Sequence, residues 1–200
     1  MKAPVKQIAL KEWASAIKAL REGKQILVLR KGGIVEETRD FQVESHHFYL
    51  YPTYEHQKRE LLKEAEQHAV DETLAGWSPD AAEVELTAYA DVAEDIEVLD
   101  QEQLDRLSGF HIWTDTFAEE RLKWKRKNPL HVLLLRVYQL EEPVSVPIRP
   151  DYLGCKSWVE IADPMPEVKK TPVLTDEEFA RQCDCLKSAL AASDAAGSRQ

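Results

Sequence analysis

The chain has 200 residues and a formal charge of −10, with 44% hydrophobic and 31% charged side chains. That mixture excludes a disordered chain, and this length buries enough surface to hold a core without disulfides or a metal. Apolar runs such as Val132 to Leu135 are too short for a bilayer, and the first residues lack the apolar segment of a signal peptide.

Three cysteines, an odd number, point to reduced thiols in the cytoplasm. The expectation is a soluble cytoplasmic protein that needs no cofactor. Its charge is unevenly spread. Residues 61–120 hold 17 acidic and 2 basic side chains, whereas residues 121–160 hold 4 and 8. Such asymmetry fits an acidic insert beside a basic working surface, or an acidic block that is merely solvated.

In chain order, Ile8, Trp13, Ile17 and Leu20 recur near one helical face, which predicts a helix over 5–22 stopped by Gly23. The run 25–30 predicts a buried strand, and Lys31-Gly32-Gly33 a turn. Short strands follow over 41–44 and 48–51, the second ended by Pro52. A helix is expected over 55–68, then a loop over 76–80. Alternating residues suggest strands over 83–86, 88–92 and 96–99, followed by a short helix over 101–107. Thr116 and Glu119 have capping-box spacing for a helix that Asn128-Pro129 stops.

The strongest strand signal spans 131–140, with a neighbour over 144–148 and another strand over 158–161. Prolines between 163 and 172 mark an extended connector, a helix follows from Thr175 to about Ala192, and residues 193–200 should be disordered. The order of elements argues for an α+β fold: a mostly antiparallel sheet or small open barrel with flanking helices and a proline-linked C-terminal helix. The expected division is one domain over 1–162, with its acidic insert at about 70–100, and an appendage over 163–200.

The strings LKEWA, ILVLRKGGI, YPTYEHQ, LLLRVY and GCKSWVE stand together between Leu10 and Glu160. In combination they resemble an uncharacterised bacterial family, domain of unknown function 1802. The resemblance implies no activity. It implies only an association, because members sometimes accompany restriction-endonuclease domains, and that company hints at nucleic acid.

Several groups could carry chemistry. Thr53, Tyr54, Glu55, His56 and Gln57 crowd a predicted strand-to-helix junction, where backbone N–H groups could dock an anion; plain helix capping by Thr53 is the alternative. Arg30, Lys31, Gly32 and Gly33 would suit a phosphate, yet they lack phosphate-loop spacing and equally fit an exposed turn. Arg121, Lys123, Trp124, Lys125, Arg126 and Lys127 put five cations around an indole that could stack on a base. A helix C-terminus with Trp124 packed inward is the competing account.

Lys156 could face a ligand, and Cys155 beside it is a candidate nucleophile, although a lone cysteine is commonly core filler. No metal-ligand spacing stands out among the histidines and cysteines. Together these features favour a DNA- or RNA-binding module without catalysis of its own, linked to restriction-type defence. One alternative is a Mg²⁺-dependent nuclease built on Asp40 and Glu44, where His46 stands in place of the expected lysine. The other is a protein-interaction subunit whose C-terminal helix docks a partner.

Overall fold

The computed structural model describes residues 6–31, 41–124 and 128–192. The expectations for Gly32, Gly33, Asp40, Lys125, Arg126, Lys127 and residues 193–200 therefore lie outside the described residues. The strands are β1 (Gln7–Trp13), β2 (Leu27–Arg30), β3 (His47–Thr53), β4 (Glu83–Val98), β5 (Leu130–Pro147), β6 (Trp158–Ile161) and β7 (Lys170–Pro172). The helices are α1 (Ala14–Arg21), α2 (His68–Leu74), α3 (Gln101–Arg106), α4 (Asp115–Lys123) and α5 (Asp176–Ala191).

These strands form a single sheet in the order β2-β5-β4-β3-β1-β6, with β7 also on β5. All pairings are antiparallel except β1 with β3. The fold is α+β, an open and mostly antiparallel sheet with flanking helices.

Period-2 alternation explains how the sheet is covered. Val28, Leu133, Ala90, Phe48, Leu50 and Leu10 send one face of five strands into a common cluster with Trp158 and Phe41. Their neighbours point the other way. Leu27, Leu29, Val132 and Leu134 meet helical residues such as Phe117, Ala118, Leu122 and Leu186, while Tyr49, Tyr51 and Ala9 meet Val144, Val146 and Tyr152. Residues 163–192 join this body. β7 pairs with Tyr138 to Leu140, and Cys183 and Leu186 of α5 are buried, whereas Cys185 is exposed.

Several local expectations need correction. The first predicted helix is half strand, because β1 lies between β3 and β6, and pairing on both edges overrides the apparent helical spacing. Only α1 is helical. It ends where Gly23, at φ 70°, lets its own N–H and that of Lys24 bond the carbonyls of Leu20 and Ala19. Residues 41–44 form no strand. Phe41 instead plugs the core, and the Gln42 carbonyl accepts from Trp158 Nε1 at 2.8 Å.

Pro52 stays inside β3, beyond the residues that pair with β4, so its missing N–H interrupts no ladder on that side. The predicted helix over 55–68 is a loop with two short 3₁₀ turns, and α2 begins only at His68. The predicted strands over 83–99 are one strand, β4, with register shifts at Leu86/Ala88 and Val92/Glu94; those over 131–148 are likewise one, β5. Thr114, not Thr116, caps α4, accepting from the Phe117 N–H at 3.2 Å. The helix ends at Lys123, before Asn128-Pro129.

Candidate nucleic-acid interface

Because β1 and β3 are parallel, their C-terminal ends emerge side by side, with Trp13 opposite Thr53. β6 is antiparallel to β1, which brings the loop before it, residues 154–157, to the same end. Gly154 adopts φ 89°, a conformation a side chain would strain, and thereby turns this loop. β2 belongs to the opposite end of the strand order. Even so, Arg30 Nη1 donates to the Lys11 carbonyl at 2.9 Å and Nη2 donates to Ser157 Oγ, so the sheet curls until its two margins meet. Helix α4 covers the junction, and a cavity of about 570 Å³ remains there.

The cavity gathers residues far apart in sequence. Arg30, Lys31, Thr53, His56, Arg121, Trp124 and Lys156, all singled out from the sequence, line it. Of the other described candidates, Tyr54 stacks on Trp77 with ring centroids 5.4 Å apart, and Gln57 is buried, taking the Ser15 N–H at 3.1 Å and donating to Thr73 at 3.0 Å. Glu55 is exposed and outside the lining, and Lys123 pairs with Glu119 on the helix surface. Thr53 is not a helix cap. It sits in β3 and its hydroxyl donates to the Glu12 carbonyl at 3.1 Å, so the expected anion-docking helix terminus does not exist.

Sequence reading missed Lys11, Glu12 and Ser157. The first two were hidden inside the supposed helix. Their signal was the charged Lys-Glu pair inside an apolar stretch, which a strand can send to opposite faces.

Among the described residues, five cations line the cavity against two carboxylates, Glu12 and Glu120. Glu12 is buried; its Oε1 accepts the Trp13 N–H at 2.8 Å and its Oε2 lies 3.5 Å from Arg30. Lys11 donates to the carbonyls of Tyr152 and Gly154 at 2.8 and 2.9 Å, and Lys31 donates to that of Leu122. Burial, reinforced by Lys156 and Arg30, lowers the Lys11 pKa, and burial alone lowers that of Lys31.

Arg121 differs. Its guanidinium carbon lies 5.0 Å from the Phe117 ring centroid, and no described residue accepts a hydrogen bond from it. Burial and then the neighbouring Arg30 charge lower its pKa, with Glu12 opposing. Arg30 Nε is also buried without a partner. Trp13 and Phe117, with ring centroids 5.1 Å apart, add apolar lining beside these cations, and Trp124 is 39% exposed.

Such a site can do two things. Convergent cationic donors in a partly dehydrated cavity attract an anion more strongly than surface lysines would. An accessible indole offers an apolar plane for a base or another flat group. The described residues contain no group of three or more His, Cys, Asp or Glu side chains placed to hold a metal ion. Nor do they contain a helix long and apolar enough to cross a membrane.

Among solved structures, the chain is similar to a serine-to-alanine variant of ASCH from Zymomonas mobilis, at 12% identity and a TM-score of 0.45, covering 90% of this chain and 95% of that one. The unsubstituted ASCH protein of the same organism matches at 13% identity and a TM-score of 0.43, covering 90% and 94%. These likenesses are too distant to transfer a residue's role. No curated protein matches. A family model does match over residues 9–184, and the chain belongs to that family, described as Domain of unknown function (DUF1802).

Proposed function

We propose that the protein is a nucleic-acid-binding module that works in the cytoplasm, beside restriction-type defence, without catalysis of its own. One observation carries the binding role: basic residues from β1, β2, α4 and the loop before β6 meet around one cavity that also presents Trp124. Phosphates would meet the cations while a base packs against the indole. The protein's acidity does not oppose this, because attraction at a cavity depends on local charge more than on the total.

Fluorescence anisotropy with labelled single-stranded DNA and RNA, at salt concentrations from 50 to 200 mM, tests the reading. Contacts to about three phosphates should give a log–log salt slope near −2. Flat isotherms, or no binding at the lowest salt, would remove it. For the nuclease alternative, Glu44 is exposed and does not line this cavity. Incubating plasmid with Mg²⁺ or Mn²⁺ tests it directly: cleavage abolished by Glu44→Ala would favour the enzyme over the module.

A further inference from the structure

The cavity's hydrogen-bonding capacity is unequally used. The ammonium groups of Lys11 and Lys31 are tied to backbone carbonyls, and Arg30 is held by the Lys11 carbonyl, Ser157 and the carboxylate of Glu12. Arg121 and Lys156 have no carboxylate at ion-pair distance among the described residues, although Glu120 also lines the cavity. Arg121 and Arg30 lie close enough to repel one another, and Arg30 Nε is a buried donor without an acceptor. Buried or partly buried cations are ordinarily paired, so this surplus calls for a compact, multiply charged anion.

An internal phosphodiester brings one negative charge and a chain that must leave on both sides. A phosphomonoester near neutral pH brings about −1.5 to −2 and three acceptor oxygens, and its chain leaves on one side. Trp13 and Phe117, each 7% exposed, give the cavity an apolar lining beside the guanidinium groups. Its volume, about 570 Å³, suits a nucleotide-sized group better than a groove that tracks a long strand.

We infer that the cavity binds the terminal phosphate of a single-stranded nucleic acid, holding it between Arg121, Arg30 and Lys156 with the end nucleotide against Trp124. The inference rests on the nucleic-acid reading above and narrows it to strand ends. Arg121 supplies a planar fork of N–H donors that no described residue accepts from, and Arg30 lines the same cavity with its Nε unpartnered. The phosphate would neutralise the mutual repulsion of the two guanidinium groups, so binding and charge relief would occur together.

The test uses the full chain and oligonucleotides of one sequence, as DNA and as RNA, bearing a 5′-phosphate, a 3′-phosphate or hydroxyls at both ends. One phosphorylated end should bind at least tenfold tighter than the hydroxyl-ended strand. Arg121→Gln should abolish that difference, Arg121→Lys should retain part of it, and Lys187→Gln, outside the cavity, should leave it intact. Thermal melts establish that each variant is folded; if Arg121→Gln is not, Lys156→Gln should reduce the preference several-fold.

Equal, salt-dependent binding of phosphorylated and hydroxyl-ended strands would overturn the terminal-phosphate inference while sparing the broader reading. Binding of a nucleoside monophosphate, with no binding of any oligonucleotide, would keep the phosphate subsite and overturn the polymer. Loss of both would overturn the two together.

Discussion

The β4 ribbon and the cavity both concentrate charge, but they treat it in opposite ways. Along β4 and its surroundings, acidic residues sit at or near the surface beside ready partners. Glu83 accepts from Ser145 at 2.7 Å, Asp91 faces His47 at 2.7 Å, and Glu94 pairs with Lys187 at 2.6 Å. Water and counter-ions can reach these groups, so each contributes little to stability and none requires a ligand. In the cavity, charge of the other sign is carried inward, where desolvation is costly, and it is left incompletely paired. The acidic block dominates the net charge, yet the smaller cationic group is where binding would release the most electrostatic strain. Placement, not amount, distinguishes a working charge from a solvated one.

The largest expected effect comes from removing the counter-charge inside the cavity. Glu12→Gln keeps an acceptor for the Trp13 N–H but leaves Arg30 without its carboxylate. Urea denaturation should show a loss of about 3 kcal/mol, typical for breaking a buried pair. The same substitution should tighten binding of a phosphate-bearing ligand several-fold, because a competing anion is gone. A stability loss with weaker binding would mean that Glu12 only holds the site in shape.

A second test concerns a buried group that is neutral instead of charged. His111 is 5% exposed and both its ring nitrogens lack hydrogen-bond partners. Burial first, then the Lys63 ammonium, holds its pKa down to about 4. In the unfolded chain the imidazole takes up a proton near its ordinary value of about 6.5, so the unfolded state gains protons before the folded one does. The contribution of His111 is therefore complete above that value and is lost as pH falls toward 4, by on the order of 3 kcal/mol. Unfolding free energies measured from pH 7.5 to 4 should show this slope. It should disappear in His111→Phe, and an unchanged slope in that variant would assign it to other groups.

The legibility of these features in sequence follows their range. Thr175 and Glu178 cap α5 through contacts three residues apart, and both hydrogen bonds form, at 3.1 and 2.9 Å. β2, β6 and the buried part of β5 were visible because β-branched and leucine runs leave little alternative. β1 was not visible. Its identity depends on β3 and on β6, the latter some 150 residues away, and neither is encoded in the local spacing of Ile8, Trp13 and Ile17.

The site shows the same division. Arg30, Arg121 and Lys156 could be named individually as cations next to glycine or tryptophan. Their meeting depends on the curl that lets Arg30 reach Lys11 and Ser157 across the margins of the sheet. Tyr54 and Gln57 looked equally promising, and only packing against Trp77 and Ser15 separates them from His56, which lines the cavity.

The smallest expected effect is the one that tests the contrast from its other side. Lys187 and Glu94 are each more than 40% exposed, and their 2.6 Å contact joins α5 to the ribbon. Exposed pairs of this kind are worth about 0.2–1 kcal/mol, because ordering two long side chains offsets most of the attraction. Glu94→Gln should therefore change the unfolding free energy by less than about 1 kcal/mol, and the difference should shrink as salt rises. Its effect on oligonucleotide affinity should be a slight gain at low salt, since one distant negative charge has been removed, and it should vanish when that charge is screened. A loss of several-fold in affinity at all salt concentrations would place the acidic ribbon inside the binding surface, and the separation between solvated acid and buried cation would no longer describe how this molecule uses its charge.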